Sequence, residues 1–293
     1  MTTLRGALLI AVALLTGCAR PVDPPSAPRS EPSVTQPATE SAAAHRVRLP
    51  PTTGSFDYQL GGAGDIPGLA VVVRDASARP MPGAYSVCYL NGFQTQPGDG
   101  DSWLHNHGEA VLRDAHGSPV RDPDWPDEYV LDPSTAAKRS IILGVLTPVL
   151  SACADKGFDA IDLDNFDTFK RFSDATTGHI DEAGAVELAR SFTALAHDRG
   201  LAVAQKNAPE AAEIGRRTIG FDFVVAEECA AYLECDHYRQ VYGPHVLQIE
   251  YTDNLSGSFR DVCATADRAP LTILRDRRLV APGSAGYVRE QCP

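Results

Sequence analysis

Two carboxylates lie at the end of a short apolar run in the middle of the chain. The run covers residues 158–163, contains Asp162 and is followed by Asp164. Side chains two residues apart project from the same face of a strand, so both acids share one face. Paired acids in an apolar strand are costly unless a partner or a reaction uses them. In a barrel of parallel strands, active sites lie at the carboxyl ends of the strands. We therefore expect acid–base chemistry at this segment.

Polar side chains end the other candidate strands as well. These strand ends are Asp57, Asn91, Asp164-Asn165, Lys206-Asn207, Glu227-Glu228 and Glu250. In a barrel they would surround one mouth with carboxylates, amides and an ammonium group. Hydrolysis of a glycosidic bond needs such a pair of carboxylates. One carboxyl protonates the leaving oxygen, and the other attacks the anomeric carbon or activates a water molecule. The chain has no Gly-x-Ser-x-Gly nucleophile motif that would offer another route.

The elements that position these residues alternate between strand and helix. Apolar runs predict strands at residues 69–73, 84–90, 158–163, 201–204, 221–225, 245–249 and 272–274. Amphipathic spacing predicts helices at residues 134–156, 181–199, 208–214, 238–241 and 262–268. This order predicts an α/β fold with a parallel sheet, and one domain of ~250 residues has the usual size of a TIM barrel. We predict a TIM-barrel-like (β/α)8 domain at residues 50–293.

The N-terminal segment predicts export. Residues 1–17 combine Arg5 with an apolar run that is too short to span a bilayer, as a signal peptide does. The segment ends in Leu15-Thr16-Gly17-Cys18, which resembles a bacterial lipobox, so Cys18 is a candidate for lipidation. An ordinary signal peptide with a chance cysteine is the alternative. Residues 18–49 are rich in Pro, Ser, Ala and Thr and predict a flexible tether. We expect an exported, membrane-anchored lipoprotein of the cell envelope.

Six cysteines remain after Cys18, and an even number in an exported chain indicates disulfide bonds. Cys229 and Cys235 are close enough in sequence to close a small loop. Two further pairs would be Cys263 with Cys292 and, by elimination, Cys88 with Cys153. The spacing alone does not fix this connectivity. No CxxC or histidine cluster predicts zinc, so we expect neither a metal nor a cofactor.

Formal net charge is -12 at pH 7. A nucleic-acid partner is therefore not expected, since phosphate binding needs a basic surface. The charge is compatible with a cationic ligand. We expect a monomer whose partners are a polysaccharide substrate and, through Cys18, a membrane.

A series of sequence blocks resembles glycoside hydrolase family 114, the endo-α-1,4-polygalactosaminidases. In chain order the blocks are FDYQL (56–60), CYLNG (88–92), WPDEYVLD (125–132), GFDAIDLDNFD (157–167), KN (206–207), FDFVVAEECAAYLEC (221–235) and IEY (249–251). They extend over nearly the whole predicted domain. The resemblance implies a TIM barrel that cleaves α-1,4-linked galactosamine polymers within the chain, with retention of configuration expected. Deacetylated galactosamine is cationic, in agreement with the acidic composition.

The resemblance implies catalytic carboxylates at Asp164 and Glu227. We assign Asp164 as the nucleophile and Glu227 as the general acid and base. Two alternatives stay open: Asp162 is the nucleophile, or the two roles are exchanged. Predicted substrate-binding residues are Asp57, Tyr89, Glu128, Asp162, Asn165, Lys206, Asn207 and Glu250. Lys206 is equally well interpreted as an ion-pair partner that keeps a catalytic carboxylate ionised.

Two other functions are compatible with the same barrel. One is a carbohydrate-binding lipoprotein without turnover, which the presence of both Asp164 and Glu227 disfavours. The other is a glycosidase with a different sugar specificity, because a fold does not determine a function.

Overall fold

The apolar runs form parallel strands that lie side by side in chain order. The computed structural model describes residues 47–293. The parallel strands are β1 (Ser55–Gln59), β2 (Leu69–Asp75), β3 (Tyr85–Asn91), β4 (Ala160–Asp164), β5 (Ala202–Lys206), β6 (Phe223–Glu227), β7 (Val246–Tyr251) and β8 (Leu271–Arg275). A ninth strand, β9 (Arg289–Gln291), pairs antiparallel with β8. The sheet is a nearly closed barrel, which confirms the predicted α/β, TIM-barrel-like fold.

Helices follow the strands from β3 onwards. They are α1 (Gly100–His107), α2 (Ala136–Lys156), α3 (Thr168–Arg171), α4 (Glu182–His197), α5 (Ala212–Ile214), α6 (Cys235–Tyr242) and α7 (Phe259–Ala264). Short 3₁₀ segments at Gly108–Ala110 and Pro209–Ala211 and a π-helical turn at Gly215–Ile219 extend α1 and α5. The first two connections, residues 60–68 and 76–84, contain no helix among the described residues. The connections after β1 and β2 therefore lack the helices that a full (β/α)8 repeat would have there.

Helix α2 is long and apolar enough to cross a membrane by length and composition alone. Its apolar side instead packs against the sheet, with Ile142, Leu146 and Leu150 buried. The left-handed C-cap Gly157 (φ 90°) ends α2 where the sequence predicts it. Cys153 of α2 is bonded to Cys88 of β3, so α2 belongs to the outer layer of the barrel.

The three disulfide bonds pair Cys88 with Cys153, Cys229 with Cys235, and Cys263 with Cys292. The structure thus contains the three pairs that the sequence suggests, of which only Cys88 with Cys153 follows from elimination.

Alternating side chains divide the apolar residues into two layers. Inward residues of the strands, such as Phe56, Val87 and Phe223, fill the barrel, and the outward residues pack under the helices. This alternation determines which polar residues reach the interior, because a shift of one residue reverses the direction of a side chain.

The seam between the first and last strands is closed by side chains. Arg275 of β8 donates from Nη1 to Asp57 Oδ1 over 2.7 Å, and both side chains are fully buried. Arg289 and Gln291 of β9 bond to the backbone O and N of Phe56 over 2.9 and 3.0 Å. The prediction that Asp57 binds substrate is wrong, because this carboxylate lies on the outer side of β1 and neutralises a buried arginine.

The predicted signal peptide (1–17), most of the predicted tether (18–49) and Cys18 lie outside the described residues. Within the described part, Val47 packs against the interior of the barrel, and Arg48 pairs with Asp159. Contacts with the barrel therefore begin slightly before residue 50.

The seam gives a stability prediction. Asp57→Ala leaves the buried Arg275 with only the longer contact of 3.4 Å to the carboxylate of Asp276, so we expect the free energy of unfolding to fall by about 3–5 kcal/mol. Glu213→Ala is the control, because Glu213 pairs with Arg217 over 2.7 Å and the two side chains are 60% and 78% exposed. We expect a loss of at most about 1 kcal/mol there. Denaturant unfolding followed by circular dichroism measures both, and similar losses for the two variants would contradict this account of the seam.

Candidate active site

Three charged side chains end adjacent strands and point into the same mouth. Asp164 is the last residue of β4, Lys206 of β5 and Glu227 of β6. Each lies an even number of residues after the inward apolar residues of its strand, and side chains two residues apart share a face. All three therefore point towards the barrel axis. The strands lie next to one another in the order β4-β5-β6, which places the ammonium between the two carboxylates.

Lys206 is shared by the two acids that the sequence assigns to catalysis. Its Nζ lies 3.1 Å from Asp164 Oδ1 and 3.0 Å from Glu227 Oε2. Burial lowers the pKa of Lys206, but the surrounding carboxylates outweigh this and raise the pKa well above its ordinary value. The side chain is only 3% exposed. Lys206 therefore acts as an ion-pair partner of both acids, and its predicted contact with substrate stays a prediction.

The two bonds to one ammonium limit the separation of the carboxylates. Asp164 Oδ1 and Glu227 Oε2, the oxygens of the two acids that face the ammonium, are therefore at most roughly 6 Å apart. The upper limit is compatible with the ~5–5.5 Å of a retaining pair.

Tyrosine hydroxyls hold the second oxygens of both acids. Tyr89 donates to Asp164 Oδ2 over 2.5 Å, and Tyr251 donates to Glu227 Oε1. The Tyr89 ring is buried and lies below the mouth. Its hydroxyl fixes Asp164, and its predicted role as a stacking surface stays a prediction.

The environment of Asp164 favours the ionised carboxylate. Burial would raise its pKa, but Lys206, the Tyr89 hydroxyl and the backbone N–H of Asn165 together lower the pKa below its ordinary value. An ionised, partly exposed carboxylate at a strand end has the properties of a nucleophile.

Asp162 lies one layer deeper and is completely buried. Its Oδ2 accepts a hydrogen bond of 3.2 Å from Tyr58. Burial, together with the charges of Asp164 and Glu227, raises the pKa of Asp162 to about 7 despite Lys206. Asp162 precedes Asp164 on the same inward face of β4, and its predicted contact with substrate stays a prediction. The same burial makes Asp164 the better candidate for the nucleophile.

The residue that follows each of the three strand ends has a left-handed backbone. Asn165, Asn207 and Glu228 have φ values of 63°, 50° and 60°. The chain therefore turns sharply directly after each charged residue. Asparagine tolerates this conformation, whereas for glutamate it is unfavourable. Asn207 also accepts the backbone N–H of Glu227 over 2.9 Å and contacts Glu227 Oε2 at 3.5 Å. Asn207 thus orients the catalytic candidate.

A second polar network supports the Asp164 side of the mouth. Arg171 is shared by Asp122 and Asp167, and it also donates to Asn165 Oδ1 over 2.8 Å. The Asn165 amide donates to Asn91 Oδ1 over 2.9 Å. Both functional groups of the Asn165 side chain are therefore occupied by protein.

Glu128 joins this network through Asn91, whose amide donates to Glu128 Oε2 over 2.9 Å. Burial raises the pKa of Glu128 to about 7, with a contribution from the charge of Asp164. Glu128 is thus a carboxyl group near the mouth that is hydrogen-bonded by an amide and close to Asp164.

Arg277 supports the Glu227 side. It pairs with Glu228 over 2.6 and 3.0 Å and with Asp253 over 2.9 Å. Its guanidinium lies 4.1 Å from the ring centroid of Tyr251, the residue that donates to Glu227. The bidentate pair also compensates for the unfavourable backbone of Glu228.

Glu250 lies outside the mouth, which corrects the prediction that it binds substrate. Its side chain is fully buried on the outer side of β7, where Oε1 accepts the Ala230 N–H over 2.9 Å and the Gln248 amide over 2.8 Å. The sulfurs of Cys229 and Cys235 are close to it. Because these sulfurs are joined in a disulfide, they lack the thiolates that a metal would need.

Sequence reasoning missed Tyr58, Tyr251 and Arg277. The first two are inward neighbours of the predicted residues Asp57 and Glu250, and strand parity would have selected them. Arg277 follows β8 and reaches Glu228 over 49 positions of sequence, a contact that no local pattern indicates.

The burial of Asp162 gives a pH-dependent prediction. Between pH ~4, the ordinary aspartate pKa, and about 7, the unfolded chain loses this proton and the folded protein keeps it. Folding of the wild type is therefore progressively disfavoured as pH rises through this window. The amide introduced by Asp162→Asn cannot ionise, so the stability of this variant relative to wild type should increase from pH 4 to 7 by up to about 4 kcal/mol and then level off. Urea unfolding across pH measures this difference, and a difference that does not vary with pH would contradict it.

Comparison with known proteins places this geometry in a family. The sequence model of glycoside-hydrolase family GH114 matches residues 36–293. Among curated proteins, no relative matches the sequence significantly.

Two solved structures share the fold. Ega3 from Aspergillus fumigatus, crystallised with galactosamine, is 20% identical and superimposes with a TM-score of 0.65 over 84% of this chain and 98% of that chain. The glycoside hydrolase domain of PelA from Pseudomonas aeruginosa is 17% identical, with a TM-score of 0.53 over 79% of this chain and 98% of that chain. The family match extends over most of the chain, and the chain therefore belongs to glycoside-hydrolase family GH114.

Proposed function

We propose that the protein is an endo-acting, retaining glycoside hydrolase that cleaves α-1,4-linked galactosamine polymers with Asp164 as nucleophile and Glu227 as acid and base. The observation that carries this proposal is the sharing of the Lys206 ammonium by Asp164 and Glu227, within 3.1 and 3.0 Å. One cation holds both carboxylates at a separation compatible with a covalent intermediate.

The reaction takes place in two steps. Asp164 attacks the anomeric carbon, the bond from this carbon to the leaving oxygen breaks, and Glu227 gives its proton to that oxygen. Glu227 then removes a proton from a water molecule, which attacks the anomeric carbon and releases Asp164. Tyr89 and Lys206 hold Asp164 in place, and Tyr251 and Asn207 hold Glu227.

The charge of the mouth supports an amino-sugar substrate. Arg171 and Arg277 are each shared by two carboxylates, so each of these two groups of three keeps a net negative charge. The group around Lys206 is negative while Glu227 is ionised and neutral while Glu227 carries the proton that it donates. Glu128 adds a further carboxyl group, and we propose that it binds an ammonium group of the sugar. A cationic polymer is attracted to such a mouth. The related structure of Ega3 in complex with galactosamine supports the same substrate class.

Asn165 and Asn207 remain proposed substrate ligands through their partly exposed edges. Their main contacts are to Arg171, Asn91 and Glu227. Loss of either amide would therefore disturb a catalytic carboxylate as well as a sugar contact.

The catalytic pair is tested by rescue with azide. Asp164→Ala and Glu227→Ala should each lower kcat on deacetylated galactosaminan by at least about 10²–10⁴-fold. In Glu227→Ala the covalent intermediate still forms, so azide should restore turnover and give a glycosyl azide of retained configuration. In Asp164→Ala azide attacks directly and should give the inverted product.

Nuclear magnetic resonance of the products measures both outcomes. The opposite pattern would exchange the two roles, and inverted products from the wild type would exclude a retaining mechanism. Binding of the polymer by wild type without release of oligosaccharides would favour a carbohydrate-binding protein, and release from another polymer alone would favour a different specificity.

We also propose that the protein is exported as a monomeric lipoprotein anchored through Cys18. Three disulfide bonds in the described part support an oxidising compartment. For the full-length chain expressed in bacteria, we expect wild type in the membrane fraction and Cys18→Ser in the soluble fraction. The same distribution for both proteins would contradict the anchor, and gel filtration of the detergent-free Cys18→Ser protein tests the monomer.

A further inference from the structure

Two loops at the carboxyl ends of the strands carry large exposed apolar side chains. Within residues 47–293, three such side chains are more than half exposed: Trp125 (55%), Tyr232 (60%) and Leu233 (82%). Trp125 lies in the connection after β3, and the other two lie in the loop after β6. Exposed aromatic rings of this kind commonly mark binding surfaces, because a flat ring can cover an apolar face of a ligand.

The loop that carries Tyr232 is held rigidly. The Cys229–Cys235 disulfide closes it, and Glu250 accepts the N–H of Ala230 over 2.9 Å. The N–H of Tyr232 donates to Glu228 O over 3.0 Å, and Asn254 donates to its hydroxyl oxygen over 3.2 Å. Tyr232 is therefore held at its backbone and at its hydroxyl, while the residue stays 60% exposed.

The turn that carries Trp125 is fixed by a different set of contacts. Asp122 Oδ1 accepts the N–H groups of Asp124 and Trp125 over 2.9 and 3.3 Å. The Glu128 N–H donates to Trp125 O over 2.9 Å, and the Glu128 side chain is bonded to Asn91 at the end of β3. The turn is thereby attached to the Asp164 side of the mouth.

The loops that carry Trp125 and Tyr232 leave the barrel from strands on either side of β4 and β5. The strand order is β3-β4-β5-β6-β7. Trp125 is attached to β3, next to β4 and Asp164, and Tyr232 is attached to β6 and β7, on the side of Glu227. By strand order, Asp164 and Glu227 lie between the starting points of these two loops.

We propose that Trp125 and Tyr232 are two sugar-stacking sites that bind pyranose rings of the same polymer on either side of the scissile bond, an inference that rests on the proposed glycosidase function. Such sites explain cleavage within a chain, because binding on both sides favours internal bonds over ends. Asp253, next to Asn254 and half exposed, offers a carboxylate to an ammonium group near Tyr232. The ligand class is therefore a polymer that combines pyranose faces with positive charges.

The position of the cut in oligosaccharides of defined length tests this proposal. Galactosamine oligomers labelled at the reducing end are digested by wild type, Trp125→Ala, Tyr232→Ala and Tyr232→Phe. Removal of one stacking site makes the oligomer shift towards the other site. We expect Trp125→Ala and Tyr232→Ala to move the cut in opposite directions, each with a KM about tenfold higher and kcat changed less than twofold. Tyr232→Phe keeps the ring but loses the bond from Asn254, so its cut should lie closer to the wild-type position than the cut of Tyr232→Ala.

Leu233→Ala is the matched control, because Leu233 lies on the same loop, is more exposed and has no planar ring. It should leave KM and the position of the cut unchanged. Thermal unfolding of all variants checks that the loops stay folded. The stacking sites are excluded if both alanine variants move the cut in the same direction, if neither moves it, or if Leu233→Ala has the same effect as Tyr232→Ala.

Binding separates this inference from the proposed function. Calorimetry with the same oligomers and Glu227→Gln protein should give an affinity about tenfold lower for each added alanine substitution. The ratio should persist at high salt, because ring contacts are not screened. If wild type cleaves no oligomer but these losses occur, the proposed function is wrong and the stacking sites stand. If wild type cleaves and neither substitution changes affinity, KM or cut position, the stacking sites are wrong.

Discussion

The buried ammonium of Lys206 is the interaction on which the site depends. Two carboxylates that contact the same ammonium lie close enough to repel each other, and burial makes that repulsion stronger. Lys206 lies between Asp164 and Glu227 and compensates for it, which also lowers the pKa of Asp164. Lys206 is in turn retained as a cation by these acids. Neither the lysine nor the acids would be stable in this barrel alone, so the three strand ends form one unit.

The backbone after these strands explains why the unit is so compact. Asn165, Asn207 and Glu228 turn the chain with positive φ immediately after the charged residue. Each charged side chain therefore projects inward while the loop leaves towards the rim. The two asparagines do this at little conformational cost. Glu228 requires compensation, which Arg277 provides from the loop after β8.

Sequence patterns predicted the barrel, the disulfides and the grouping of Asp164, Lys206 and Glu227, because alternation and the polar strand ends are local signals. The errors at Asp57 and Glu250 have one cause. A charge at a strand end was taken as pointing into the mouth, although the inward positions belong to Tyr58 and Tyr251. Since direction alternates along a strand, an uncertainty of one residue in register exchanges the two faces. Inward tyrosines resemble core residues in sequence, and only the fold shows their hydroxyls on the carboxylates.

The arrangement found at Lys206, one cation shared by two carboxylates, recurs at Arg171 and Arg277 on either side of the mouth. Around Arg171 and Arg277, one of the two carboxylates is more than charge neutrality requires, so negative charge remains on both the Asp164 side and the Glu227 side of the mouth. A single unpaired acid would bind one ammonium tightly at one place. A distributed surplus instead attracts a polymer with repeated positive charges along its length, while the protein cations keep the acids ordered in its absence. The electrostatics therefore favour binding along a chain over capture of a single sugar, as internal cleavage requires.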